Sequence, residues 1–279
     1  VADWRTEYPK ITFGVTSGEN AKDTRARWTP FVAYLEEQLG IEVELRQASD
    51  YAGIIEAMGA GRVEMAWYGG AGYAAAWDVM KGNIEPIAMD VSAKGKMGYH
   101  SVLVVKGDSD VADMEGLAGK SLAFADPNST SGFMIPNYWL RKLGKIGGES
   151  EFFKSTGFSG SHENGILAVM NGTYDVAATW TYDEEDGNIS RMIRKGMINE
   201  GDVKVIWTSP LIPNSPFTVV KSLPEDMKAD LKAAMTEMNT RDPERFEQVS
   251  QGEFQRFAEA THDMYVYAIE LREEQKKQR

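Results

Sequence analysis

The sequence predicts an α/β fold arranged in two lobes. Strand-like and helix-like segments alternate every dozen or so residues, which is the signature of that class. The 279 residues, 42% of them apolar, suffice for two lobes with cores of their own. No internal repeat, low-complexity linker or long Gly/Ser stretch separates the halves, so short crossovers fit better than beads on a string.

Residues 10–16 (KITFGVT) read as a compact strand, followed by a loop at Thr16-Ser17-Gly18. Over residues 25–39, Trp28, Phe31, Val32, Leu35 and Leu39 recur at spacings of three and four, as on one face of a helix, and Gly40 ends it. Residues 41–46 (IEVELR) alternate apolar and polar like a half-buried strand. Asp50 is placed to cap a helix over residues 51–59. A strand at 63–68 (VEMAWY), a helix at 73–80 and a strand at 84–91 continue the alternation, and 101–106 (SVLVVK) reads as a buried strand.

The second series opens with a helical turn at 114–117 and a strand at 120–125. Residues 149–154 read as continuing the helical region that follows, and 158–163 as a loop. A helix over 164–171 ends at Gly172, and strands follow at 174–179, 203–208 and 217–220. Pro224 starts a helix over 225–239. From Pro243 onward the chain reads as mostly helical, with Phe254, Phe257, Thr261, Met264, Ala268 and Leu271 at spacings of three and four. That stripe is expected to pack on the body or on a second subunit, so a homodimer through the C-terminal helices is one expectation.

Forty-two acids against 30 bases give a net charge of −12, which argues against nucleic acid or an anionic membrane surface as partner. An anionic ligand would have to be held locally, by donors and dipoles, against that field. The absence of cysteine excludes thiolate zinc sites, cysteine nucleophiles and disulfides. With His100, His162 and His262 as the only histidines, a poly-histidine metal site is not expected, and no cofactor is. No apolar stretch approaches the roughly 20 residues that span a bilayer. The chain starts at Val1-Ala2-Asp3 without methionine, and the expectation is that an export signal has been removed.

The stretch that draws most attention is residues 123–141. After a short strand, Asp126-Pro127-Asn128 is turn chemistry; Ser129, Thr130, Ser131 and Gly132 follow, then an apolar run containing Pro136. One such hydroxyl is an ordinary N-cap. Three in a row at a helix start suit an oxyanion, because the first turn has orphan N–H donors and the positive end of the helix dipole. Tyr51 and Tyr68 sit just after strands, where α/β sheets bind ligands.

Several blocks together resemble a known family. Arg27-Trp28-Thr29-Pro30-Phe31, Asp50-Tyr51-Ala52-Gly53-Ile54-Ile55, Ala66-Trp67-Tyr68-Gly69, Gly98-Tyr99, the run DPNSTSG at 126–132, His162-Glu163-Asn164 and Ser209-Pro210-Leu211-Ile212-Pro213 come in the order and spacing of the phosphonate-binding periplasmic proteins of ABC transporters. The resemblance covers about residues 10–220, with DPNSTSG and the downstream histidine its most specific part. It implies a type II periplasmic binding protein fold: two α/β lobes, two crossovers and a ligand in the cleft, here with a C-terminal helical extension. The expected division is residues 1–104 plus 210–245 for the first lobe, 105–209 for the second and 246–279 for the extension. The resemblance implies that Ser129, Thr130, Ser131 and His162 hold the phosphonate oxygens, and that Tyr51 and Tyr99 contact the ligand from the first lobe. His162 is expected to serve as a donor, strengthened by protonation near neutral pH.

Two positions depart from the family pattern. Its best-known members grip the amine of 2-aminoethylphosphonate with a glutamate; laid without gaps, that glutamate falls on Tyr182, one place before Asp183. A second acid, in the family's Ile-Pro-Gly-Asp-Pro turn, is replaced by Ser215. Asp183 or Glu184 could substitute, with Tyr182 and Trp180 forming an aromatic wall around the ammonium. The function implied is capture of 2-aminoethylphosphonate in the periplasm, for delivery by lobe closure to an inner-membrane permease. The alternative within the class is a non-aminated oxyanion: methylphosphonate, phosphite or phosphate. An enzyme is not expected, because turnover needs a base beside a nucleophile or a metal, and the histidine near the candidate site is already assigned.

Overall fold

A computed structural model describes residues 3–16 and 18–278; Ser17, read above as part of the loop after the first strand, lies outside them. The chain forms two α/β units, residues 1–97 with 213–279 and residues 98–212.

The first unit begins with helix α1 (Trp4–Glu7) and runs through β1 (Lys10–Val15), α2 (Ala21–Leu39), β2 (Glu42–Gln47), α3 (Tyr51–Gly59), β3 (Met65–Trp67), α4 (Gly70–Val79) and β4 (Ile84–Ser92). Helix α2 starts four residues before the expected residue 25, where the Asn20 side chain accepts from the Asp23 N–H at 2.9 Å, and Gly40 closes it as expected, in the left-handed conformation. Its apolar face carries Trp28, Phe31, Val32, Leu35 and Leu39 into the core.

The second unit holds β5 (Gly98–Lys106), β6 (Ser121–Phe124), α5 (Ile135–Lys142), β7 (Ser155–Phe158), α6 (His162–Met170), β8 (Val176–Thr181), α7 (Asn188–Arg194) and β9 (Val203–Thr208). Strand β10 (Ile212–Pro213) leads out of it. Its sheet runs β10-β5-β8-β6-β7, with β9 also paired to β5. The parallel pair β6–β7 sets the ends of these two strands, Phe124 and Phe158, side by side, and α6 follows β7 after a short turn. Residues 143–154, expected in part to be helical, form turns and bends; Gly144 and Gly147, both at positive φ, follow the end of α5. Residues 155–158, outside the strands expected from the sequence, are β7, an edge strand.

The chain then returns to the first unit as β11 (Pro216–Val220), α8 (Glu225–Thr236), α9 (Met238–Arg241), α10 (Pro243–Ser250), β12 (Phe254–Glu259) and α11 (Val266–Lys277). The first sheet is thereby β12-β4-β11-β3-β1-β2. Three expectations are corrected here. The division falls after Met97 and Ile212 rather than after residues 104 and 209, because β5 is bonded along its length to β8 and β9. Residues 246–279 are no appendage: buried Arg27 donates to Val249 O at 2.9 Å and pairs with Glu19 at 2.8 Å and Glu253 at 3.4 Å, tying α2 to that segment. And Phe254 and Phe257 lie on a strand. A register shift between Phe254 and Arg256 marks a bulge, which puts residues three apart on one face and so mimics helical spacing. Helix α11 lies on α4, with Arg272 and Lys276 both 2.6 Å from Asp78.

Candidate functional site

The hydroxyl stretch leaves β6 through a turn that its own side chains build. Asp126 accepts from the Asn128 N–H at 2.7 Å, and its carbonyl accepts from the Ser129 N–H at 2.9 Å. Ser129 then caps the next turn, its Oγ accepting from the Gly132 N–H at 3.0 Å. Residues Thr130–Met134 form a single π-helical turn, with the Met134 N–H donating to Ser129 O at 3.0 Å, before α5 continues. Such wide turns leave more backbone N–H groups pointing out of the helix start and recur at functional sites. Gly132 makes the turn fit: a Cβ there would lie 2.5 Å from Ala125 Cβ and 2.7 Å from Ser129 Oγ. Ser129, Thr130 and Ser131 are all buried, and the Ser101 hydroxyl on β5 donates to Ser131 O at 2.6 Å.

His162 opens α6, behind Ser161, whose Oγ accepts from the Asn164 N–H at 3.0 Å. The ring reaches the hydroxyl turn: Nε2 is 3.1 Å from Ser129 Oγ, and Nδ1 is 3.0 Å from Thr179 Oγ1 on β8. Burial, reinforced by the positive charge of Arg191, lowers its pKa from 6.5 to about 3. The expectation of a ring protonated near neutral pH is therefore corrected; His162 is a neutral hydrogen-bonding group. The neighbouring Glu163, also buried, pairs with Lys195 at 2.6 Å.

Tyr99 stands at the start of β5 and so belongs to the second unit, not the first as expected. Gly98 before it lets β5 pass the chain leading out: a Cβ would lie 2.7 Å from Ile212 O. Trp180 and Tyr182 do form an aromatic pair, ring centroids 5.3 Å apart. A cation already lies on the first of these rings, for the Arg191 guanidinium sits 4.8 Å over Trp180. Sequence reasoning missed Arg191; the one signal for it is its place in the helix just after the acidic loop. Asp183 serves its own loop, Oδ1 accepting from the Glu185 and Asp186 N–H groups at 2.8 and 3.0 Å.

In the first unit, Tyr51 is the first residue of α3, held in place by Asp50, whose Oδ1 accepts from the Gly53 N–H at 2.9 Å. Tyr68 is corrected from ligand contact to core. It is fully buried among Ile54, Met58 and Tyr73, its hydroxyl donates to Met58 Sδ at 3.4 Å, and burial drives its pKa far upward. The second unit thus brings Ser129, Thr130, Ser131 and His162 together, while Tyr51 and Tyr68 belong to the first. Among the described residues no group of three or more acids or histidines is arranged to hold a metal ion, and no helix is long and apolar enough to cross a membrane.

The chain is 38% identical over 222 residues to the phosphonates-binding periplasmic protein of Escherichia coli, covering 78% of this chain but 63% of that protein, less than two thirds of its length. It is 34% identical over 228 residues to the phosphate-import protein PhnD of Mycolicibacterium smegmatis, covering 80% of this chain and 70% of that one. The crystal structure of a binding protein component of a phosphonate ABC transporter from Pseudomonas aeruginosa superposes with a TM-score of 0.83 at 30% identity, over 95% of this chain and 85% of that one. The fold is accordingly the two-lobe α/β periplasmic binding protein fold of type II. The family model for the periplasmic substrate-binding protein of phosphonate ABC transporters matches residues 13–265. The chain belongs to that family.

Proposed function

We propose that this protein captures a small phosphonate in the periplasm and hands it to the inner-membrane permease of an ABC importer. The observation that carries the reading is the buried run Ser129-Thr130-Ser131 on a π-helical turn, with His162 against its first hydroxyl. Hydroxyls and helix-start N–H groups offer several donors to one tetrahedral oxyanion without a lysine. Binding, not turnover, is the chemistry these groups support.

For the ligand, 2-aminoethylphosphonate draws on the Trp180–Tyr182 pair and the nearby acids for its ammonium. A second reading is favoured by a specific observation. Arg191 already occupies the face of Trp180, and the Asp183 carboxylate is engaged by its own loop, which suits a non-aminated oxyanion such as methylphosphonate, phosphite or phosphate. Titration calorimetry of ligand-stripped protein with 2-aminoethylphosphonate, methylphosphonate and phosphate in one buffer separates the two. Strong preference for the aminated ligand supports an amine subsite; equal or better binding of the others removes it. Binding of none overturns the reading. In the same assay Ser129→Ala is expected to cost roughly 1–3 kcal/mol, the range for a charge-assisted hydrogen bond.

A further inference from the structure

Arg191 reaches the candidate site through a tight fold of the chain after β8. The Thr181 hydroxyl donates to Asp186 O at 2.9 Å, and Thr181 pairs with Gly187 in an antiparallel bridge. Gly187 lets the two segments close, since a Cβ there would lie 2.8 Å from Thr181 Cα. Helix α7 starts directly afterwards and lays the Arg191 guanidinium 4.8 Å over the Trp180 ring. Arg191 is 9% exposed, so water does little to screen its charge.

Trp180 in turn stands beside the hydroxyl turn. It is paired between β8 and β5 with Ser101, and residues opposite each other in an antiparallel pair point to the same face. On that face the Ser101 hydroxyl donates to Ser131 O at 2.6 Å. The ring that carries Arg191 and the turn built from Ser129, Thr130 and Ser131 therefore lie on one face of one sheet. The charge is felt around the turn, for burial and then Arg191 keep His162 unprotonated. Of the acids in the intervening loop, Glu184 and Glu185 are exposed, where water screens them, and Asp183 Oδ1 accepts from N–H groups of its own loop. A guanidinium, not a carboxylate, is what covers the ring.

We propose that Arg191 determines the specificity of this site: its fixed cation, held on Trp180 beside the hydroxyl turn, selects oxyanions whose far end carries no positive charge and disfavours 2-aminoethylphosphonate. This rests on the oxyanion-binding reading of the turn. The physical ground is Coulombic. The guanidinium attracts the anionic head of every ligand and repels an ammonium two carbons away, and in a site shielded from water that repulsion is stronger than in solvent. The face of Trp180 on which a ligand ammonium could rest is taken by the same group. The chain thus carries in Arg191 the positive charge that an aminated ligand would bring with it.

The test compares two ligands of one size. Propylphosphonate has a methyl group where 2-aminoethylphosphonate has its ammonium, so the ratio of their affinities isolates the charge. Titration calorimetry of the ligand-stripped full chain is expected to show propylphosphonate binding about tenfold more tightly, or better, the scale of one like-charge contact. In Arg191→Gln the ratio is expected to fall to about threefold or less, while Arg191→Lys, which keeps the charge, retains it; urea unfolding checks that both variants fold. A wild-type ratio below about threefold, or one in favour of the amine, overturns the inference and needs no variant to fold. A ratio unchanged in Arg191→Gln overturns it as well. If neither of the two binds while methylphosphonate or phosphate does, size and not charge decides, and the inference falls with the binding function intact. If none of the four anions binds, the functional reading falls and the inference with it.

Discussion

In His162 the loss of hydration and the neighbouring charge of Arg191 both oppose a second proton, which holds the folded-state pKa near 3 against 6.5 in the unfolded chain. The sign of the stability effect follows. The unfolded state takes up the proton first as the pH falls, so the contribution of this residue is fully present above 6.5 and is lost progressively down to about 3. One pKa unit corresponds to about 1.4 kcal/mol, so acidification from pH 7.5 to 5 should cost about 2 kcal/mol through this group alone. Urea unfolding of wild type and His162→Gln at pH 7.5 and 5 checks this. The wild type is expected to lose more stability than the variant by about that amount; an equal loss would show that the ring is protonated in the folded state. The histidine itself was legible beforehand, through its place after the hydroxyl run. Its charge state was not, because the atoms that set it come from positions as remote as Arg191.

The element that builds the candidate site is the turn from β6 into α5. Its pieces, Asp126 to Gly132, are contiguous, so local chemistry alone announces it: an Asx turn, a capping serine and a residue without a side chain. The role of Gly132 can be measured. Gly132→Ala puts a methyl group 2.5 Å from Ala125 Cβ and 2.7 Å from the Ser129 hydroxyl, a clash against short, stiff neighbours. Overpacking of this kind costs about 1–3 kcal/mol. The variant is expected to unfold at lower urea concentration and to bind the anion preferred by the wild type in the titration series more weakly, because the displaced atom is the Ser129 oxygen. Unchanged affinity would show that the turn relaxes without moving that hydroxyl. Strand β12 is the opposite case. Its Phe254 and Phe257 share a face because a bulge inserts one extra residue, and local spacing cannot tell that arrangement from a helical stripe.

On the scale of the whole molecule, the core of the first unit is assembled from both ends of the chain. The Phe257 ring lies 5.0 Å from Phe217 and 6.2 Å from Phe31, and Phe13 packs on both Phe31 and Phe217. Phe257→Ala is therefore expected to cost about 3–5 kcal/mol, as for other large-to-small changes of a buried ring. A loss below about 1 kcal/mol in urea unfolding, the size of a surface substitution, would mean that the C-terminal segment is an appendage after all.

The sequence by itself determined what depends on near neighbours: the alternation of strands and helices, the capped start of α3, the hydroxyl turn at 126–132 and the histidine that follows it. Periodicity and capping act over a few residues, so they are written locally. Only the tertiary structure decided that Tyr68 is core, that β5 and Tyr99 belong to the second unit, that residues 254–259 are a strand, and that Arg191 lies over Trp180. It also decided that His162, 33 positions from Ser129 and 17 from Thr179, is neutral and bonded on both ring nitrogens. Burial, charge and strand pairing are set by groups brought together from distant parts of the chain, and no local pattern records which ones will meet.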